Sequence, residues 1–130
     1  MSAFSNYLED KIINHVLRNT AYTTPGTAIY VALFTTNPAE DASGAEVSGG
    51  SYARVQVTAW DAPSNGATAN TSAITFPTAT APWGDVTHVA VFDASAAGNM
   101  LFYGALADAK TVDTDDVFQF LAGALDIAVA

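Results

Sequence analysis

The chain has 130 residues, of which 50% are hydrophobic and 13% are charged, and it carries a formal net charge of −9. This composition excludes an intrinsically disordered chain, and the length suits a single domain, residues 1–130, that buries its own core. The acidic balance disfavours nucleic-acid binding, and the absence of cysteine excludes disulfides, thiolate metal sites and a cysteine nucleophile.

Residues 1–20 predict an amphipathic helix that spans about residues 5–18. Ser5 and Asn6 are suitable N-cap residues, and apolar side chains follow them at helical spacing. A stripe of this kind needs a cover. The slightly favoured cover is the chain's own β-structure, and the alternative is a partner subunit that docks there. The stripe consists of Leu8, Ile12, Ile13, Val16 and Leu17.

Residues 27–130 predict a set of short β-strands. Residues 27–35 are nearly all apolar, which is typical of a strand buried on both faces, and residues 36–51 predict a long surface loop. About seven strands separated by frequent turns favour a mainly β protein, an antiparallel β-sandwich or barrel preceded by the N-terminal helix. The other predicted strands cover residues 52–59, 73–76, 86–92, 99–106, 117–121 and 125–129.

No motif of a catalytic or metal centre stands out, so we expect no enzyme activity and no cofactor. His15 and His88 lack neighbours at the spacing of metal ligands or catalytic partners. The acidic turn Asp113–Asp116 lacks the glycine and the distal glutamate of an EF-hand loop. Side chains that cap backbone N–H groups are therefore favoured over calcium binding in this turn.

Four aromatic residues could form a platform on which a sugar ring stacks. Aromatic rings offer flat apolar faces, and Asp61 or Asp85 could accept hydrogen bonds from hydroxyl groups. Packing in the core or at a subunit interface is the favoured alternative. The four residues are Tyr52, Trp60, Trp83 and Tyr103.

Membrane and export signals are absent from the sequence. The longest apolar stretch, Ala28–Phe34, is far shorter than the ~18 residues of a membrane-spanning helix. The N-terminal region shows no basic segment followed by an apolar run. We therefore expect a protein that is made in a cytoplasm and does not enter a membrane.

Six segments, in order along nearly the whole chain, resemble a known family of short virion proteins of tailed bacteriophages. Its members are labelled tail fibre proteins, and similar small proteins serve as capsid decoration. The resemblance implies a structural protein of the virion, made in the cytoplasm of the bacterial host, with the major capsid protein or tail proteins as partners. The segments are IINHVLRNTAY (12–22), IYVALFTTNP (29–38), EVSGGSYAR (46–54), ITFPTA (74–79), WGDVTHVAVFD (83–93) and LFYGAL (101–106).

The length narrows the role that this resemblance implies. A domain of this size has a radius of gyration of about 14 Å, and the sequence contains no repeats from which a long shaft could be built. We therefore expect a compact module, most simply a capsid decoration (cement) protein that stabilises the shell by binding its assembled state. The alternative is a tail fibre or tail-tip component that binds a host-surface glycan or receptor. By analogy with other phage surface proteins we expect a homo-oligomer, a trimer.

Overall fold

The computed structural model describes residues 3–129, which form one α-helix and nine β-strands. The helix is α1 (Asn6–Leu17). The strands are β1 (Ala3–Phe4), β2 (Tyr30–Phe34), β3 (Val55–Gln56), β4 (Ala67–Ala69), β5 (Ile74–Thr75), β6 (Gly84–Phe92), β7 (Met100–Val112), β8 (Gln119–Phe120) and β9 (Asp126–Ala128).

The largest element is a five-stranded antiparallel sheet with the strand order β1-β7-β6-β2-β3. β2 lies beside β6, with Val31 opposite Val91 and Leu33 opposite Val89. Residues 31–34 are all buried, so the prediction of a strand buried on both faces is confirmed. β6 and β7, which correspond to the predicted strands 86–92 and 99–106, pair as a hairpin, and β7 continues well beyond residue 106.

A second layer consists of two antiparallel ribbons, β4 with β9 and β5 with β8. The side chains of these ribbons pack against one face of the large sheet and enclose the main core. Members of this core include Val31, Leu33, Val89, Phe76 and Phe118. The predicted mainly β antiparallel fold with an N-terminal helix is confirmed. The barrel alternative is wrong, because β1 and β3 end the large sheet without pairing to each other.

The opposite face of the large sheet has a smaller apolar cluster. The rings of Phe34 and Phe92 are stacked there, with centroids 6.1 Å apart, and Ala32, Ala90 and Met100 are buried around them. Successive residues of β2 and β6 therefore alternate between two cores. This arrangement explains why both strands are almost entirely apolar.

The N-terminal segment contributes a strand as well as the predicted helix. Phe4 in β1 lies opposite Phe102 in β7. The N-terminal segment is therefore part of the same sheet as the strands that were predicted for residues 27–130. The N-cap of α1 is Ser5, whose Oγ accepts a hydrogen bond from the N–H of Leu8 at 3.1 Å. The sequence did not predict β1 or β4, which brings the strand number from about seven to nine. Both are too short to show a period of two.

β7 is irregular along its length. It pairs with β1 only at Phe102 and Tyr103. Its register with β6 shifts between Val86, which lies opposite Lys110, and His88, which lies opposite Ala105. Four residues of β7 thus face the single residue Thr87, and this bulge bends the strand at the margin of the sheet.

One buried amide, that of Asn70, connects two segments of the second layer. Its Nδ2 donates to the carbonyl oxygens of Ser72 at 2.8 Å and of Leu121 at 3.0 Å. Its Oδ1 accepts from the N–H of Leu125 at 2.9 Å. The side chain thereby joins the segment between β4 and β5 to the turn between β8 and β9.

Replacing Asn70 with alanine is expected to lower the free energy of unfolding by about 2 kcal/mol or more, because buried backbone groups lose their partners. Urea denaturation followed by circular dichroism measures the change. The matched control is Asn6→Ala at an exposed position, which is expected to change the free energy by less than about 0.5 kcal/mol. Equal effects of the two substitutions would contradict this role for Asn70.

Candidate interaction surfaces

The apolar stripe of α1 is only partly covered by the rest of the chain. Leu8 is buried and Ile12 is half-buried. Farther along the helix, Ile13 is 52% exposed, Val16 68% and Leu17 77%. The expectation that the chain's own β-structure covers the stripe is therefore wrong for the last two turns. Their residues Ile13, Val16 and Leu17 form an exposed apolar surface, here called the helix patch.

The sheet covers the start of α1 but not its end, because the hydrogen bonds that join the helix to β7 and to Glu40 lie at its start. The N–H of Ser5 donates to the carbonyl oxygen of Leu101 in β7 at 3.0 Å, and the N–H of Asn6 donates to that of Glu40 at 3.0 Å. After the helix, the N–H of Tyr22 donates to Nδ1 of His15 at 3.2 Å. These bonds fix both ends of the helix while the helix patch faces solvent.

Two of the four candidate aromatic residues, Tyr52 and Trp83, contact each other in the main core. Their rings meet edge to face with centroids 5.4 Å apart, and Tyr52 also stacks on Phe76. Trp83 is buried, and its Nε1 donates to the carbonyl oxygen of Gly50 at 2.9 Å. Gly50 has φ +57°, and a Cβ there would lie 2.8 Å from both Nε1 of Trp83 and the carbonyl oxygen of Ala81. These residues therefore act together in packing.

The other two aromatic residues lie apart from this pair. Tyr103 packs against the cluster around Phe92, and Trp60 lies near the second layer, where it forms an isolated β-bridge with Asn70. The structure does not bring the four rings together as one platform. Glycan binding by these residues stays a prediction. The four rings do not share a surface on which a sugar could stack.

Trp60 borders an open apolar cavity of about 310 Å³, here called the Trp60 cavity. Apart from the Trp60 indole, its only polar lining side chain among the described residues is Thr68, whose Oγ1 donates to the carbonyl oxygen of Asp61 at 2.6 Å. The cavity thus suits an apolar group better than a sugar. Sequence reasoning missed it because its walls come from distant segments. They include Ile29, Leu101, Phe102, Ile127 and Val129.

A partly buried ion pair lies on the other side of the large sheet. Arg54 binds both carboxylate oxygens of Glu46, each at 2.8 Å, and its side chain is 6% exposed against 26% for Glu46. The guanidinium carbon lies 3.8 Å from the centre of the Phe92 ring. Its Nη1 donates to the carbonyl oxygens of Ala94 and Ala97, each at 2.9 Å. Every part of the guanidinium is thus used within the fold, so the pair is structural.

The surroundings of this ion pair shift the pKa values of two acidic groups. Burial by itself raises the pKa of Glu46, but hydrogen bonds from Arg54 and Tyr52, with the charge of Arg54, outweigh it and hold the pKa below its usual value. Burial, together with the 2.7 Å hydrogen bond to Glu46, raises the pKa of Tyr52 well above its usual range. Glu46 is therefore the charged member and Tyr52 the neutral one.

The remaining polar candidates are engaged locally. Oδ2 of Asp116 accepts from the N–H of Asp113 at 2.9 Å, which is the capping that was favoured for the acidic turn. Nδ1 of His88 lies 2.8 Å from Oγ1 of Thr87. Among residues 3–129, no three His, Asp or Glu side chains converge as a metal site.

In the described part of the chain, no helix has the length and apolar character that a membrane crossing requires.

Comparison with known proteins identifies a family to which the chain is similar. Its model, described as Podophage GP4 fiber I protein gp80, matches residues 3–128. The match therefore covers the large sheet, both ribbons and α1. No curated protein matches the chain.

The Glu46–Arg54 pair predicts a pH dependence of stability. Because the pKa of Glu46 is lower in the folded chain than its ordinary value of 4.5, the pair stabilises the fold above that pH and loses this contribution as the pH falls through the folded pKa. Glu46→Gln is expected to lower the free energy of unfolding by about 2 kcal/mol at pH 7, with a smaller difference from the wild type at pH 3. Urea denaturation at both pH values measures this, with Glu40→Gln, at an exposed acid, as the control. A difference that does not depend on pH would contradict the ion pair.

Proposed function

The chain belongs to the family of the podophage GP4 fiber I protein gp80, and we propose that it is a compact, non-enzymatic module of the tail-fibre apparatus. Membership makes the chain a structural protein of a short-tailed phage virion. The family description names a fibre protein, which supports a position of the chain on the tail fibre. Capsid decoration, which the sequence alone had favoured, is therefore the second candidate.

The proposed attachment surface is the helix patch on α1. Ile13, Val16 and Leu17 are more than half exposed, and they share one face of the helix because they are three and four positions apart. An apolar surface of this kind on a particle protein is typical of a contact with another protein. This exposed face is the observation that carries the proposal.

A chain that is attached through the helix patch can belong to a fibre without forming a long fibre shaft itself. Residues 3–129 fold as two packed β layers with one short helix, so the chain extends a particle only by being joined to other subunits. A neighbouring virion subunit that covers the helix patch would supply that connection. The partner remains within the classes inferred from the family, namely other tail proteins or, in the decoration alternative, the major capsid protein.

The position on the particle is tested by imaging. Phage particles that carry an affinity tag after Ala130 are labelled with gold and viewed by negative-stain electron microscopy. Label at the tail is the expected result. Label over the head would overturn the fibre proposal in favour of capsid decoration, and absence of the chain from purified particles would overturn both.

The attachment surface is tested with a matched pair of substitutions. Val16→Asp places a charge in the helix patch, and Val117→Asp makes the same change at an exposed valine elsewhere. Val16→Asp is expected to reduce incorporation into particles at least tenfold, because burying an unpaired carboxylate is costly, while Val117→Asp is incorporated normally. Quantitative mass spectrometry of purified particles measures both. Equal incorporation of the two variants would contradict attachment through the helix patch.

A further inference from the structure

Two of the uncovered apolar surfaces of the described chain have opposite shapes. The helix patch projects from α1, whereas the Trp60 cavity is a recess beside the β4–β9 ribbon. We propose that the helix patch of one copy inserts into the Trp60 cavity of a second copy. This inference rests on the proposed function, because it names the partner of the attachment surface: another molecule of the same chain.

The dimensions and chemistry of the Trp60 cavity suit this occupant. Its volume of about 310 Å³ is at the lower end of the roughly 300–1,000 Å³ of ligand pockets, so it holds a few aliphatic groups rather than a large cofactor. Its walls are apolar, and the hydroxyl of Thr68 is already engaged by Asp61. Branched aliphatic side chains such as Val16 and Leu17 match such walls, whereas an anion or a sugar would lose its hydrogen bonds there.

The distribution of charge favours α1 as the part that approaches another copy. Glu9 and Asp10 balance Lys11 and Arg18, so residues 6–18 are neutral. The other eleven acids and two bases carry the whole net charge of −9. Most of the surface therefore repels a second copy, but α1 does not.

The end of α1 carries the positive charge of Arg18, whereas the two acids of the helix lie nearer its start. Two exposed acids, Asp61 and Asp126, are sequence neighbours of cavity residues, although neither lines the cavity itself. A copy that inserts Val16 and Leu17 therefore brings Arg18 towards a surface with acids nearby, which orients the encounter.

This contact joins two different surfaces, so it is heterologous. A heterologous contact closes into a ring or continues as a filament, because an open assembly keeps one free helix patch at one end and one free cavity at the other. Repetition of one contact would build a larger assembly from a compact domain that contains no repeats. The expected trimer would be a closed ring of three such contacts.

The first test is the self-association of the purified chain of residues 1–130. Sedimentation velocity over increasing concentration is expected to show a mass that rises above that of the monomer. Val16→Asp in the helix patch and Ala67→Trp, at an exposed residue of the cavity wall, are each expected to remain monomeric. Ala109→Trp, at an exposed residue away from the cavity, is the control for Ala67→Trp and is expected to associate as the wild type does.

The decisive test mixes the two defective variants. Val16→Asp keeps an intact cavity and Ala67→Trp keeps an intact helix patch, so an equimolar mixture can form one contact and no more. The expected species has twice the monomer mass and nothing larger forms. Circular dichroism confirms that each variant is folded, and Leu17→Asp replaces Val16→Asp if that variant is not. A mixture that remains monomeric overturns the inference, as does a wild-type chain that stays monomeric at millimolar concentration.

These outcomes are separate from those of the proposed function. If the chain is found on the tail but does not associate with itself, only this inference fails, and the incorporation of Val16→Asp still tests attachment of the helix patch to a different virion protein. If the chain is absent from particles, the proposed function fails whatever the mass of the purified chain.

Discussion

The fold depends on the burial of β2 on both of its faces. Val31 and Leu33 point to one core while Ala32 and Phe34 point to the other, and none of the four is more than 2% exposed. Many antiparallel sheets need a cover on one face only, but this one needs two. The two ribbons provide the first cover. The second is assembled from loops, which Arg54 holds in place by lying on Phe92 and by binding Glu46 and the turn that follows β6.

The elements that the sequence predicted correctly are those whose signal is local. The helix repeats its apolar residues every three or four positions, and β2 and β6 are nearly unbroken apolar runs bounded by turns. β1 has two residues and β4 has three, which is too short for a local pattern in the sequence. Both form strands because they pair with β7 and β9, which are distant in the sequence. The alternation over residues 52–59 predicted a long strand, but only Val55–Gln56 is one. Just before it, the side chains of Tyr52 and Arg54 bind Glu46, a long-range contact that the alternation does not reveal.

The candidate surfaces show the same division between local and distant information. The sequence identified the apolar stripe of α1, yet whether the sheet covers it depends on where the helix is anchored, and periodicity carries no such information. Tyr52, Trp60, Trp83 and Tyr103 could be recognised as aromatic residues available for binding or packing. Their separation onto different parts of the fold follows from strand order. The Trp60 cavity, formed by segments far apart in the chain, left no pattern in the sequence that could have revealed it.

The bulge in β7 has a consequence for a protein that is crowded on a particle. A long, straight outer strand would offer its free N–H and C=O groups to any neighbouring chain and would invite indiscriminate sheet extension, the first step towards amyloid. The register shift opposite Thr87 interrupts that template, and Asp108 and Lys110 place charges along it. Uncontrolled backbone pairing between adjacent molecules is thereby discouraged. Recognition is left to side chains, which can be selective where a bare strand cannot.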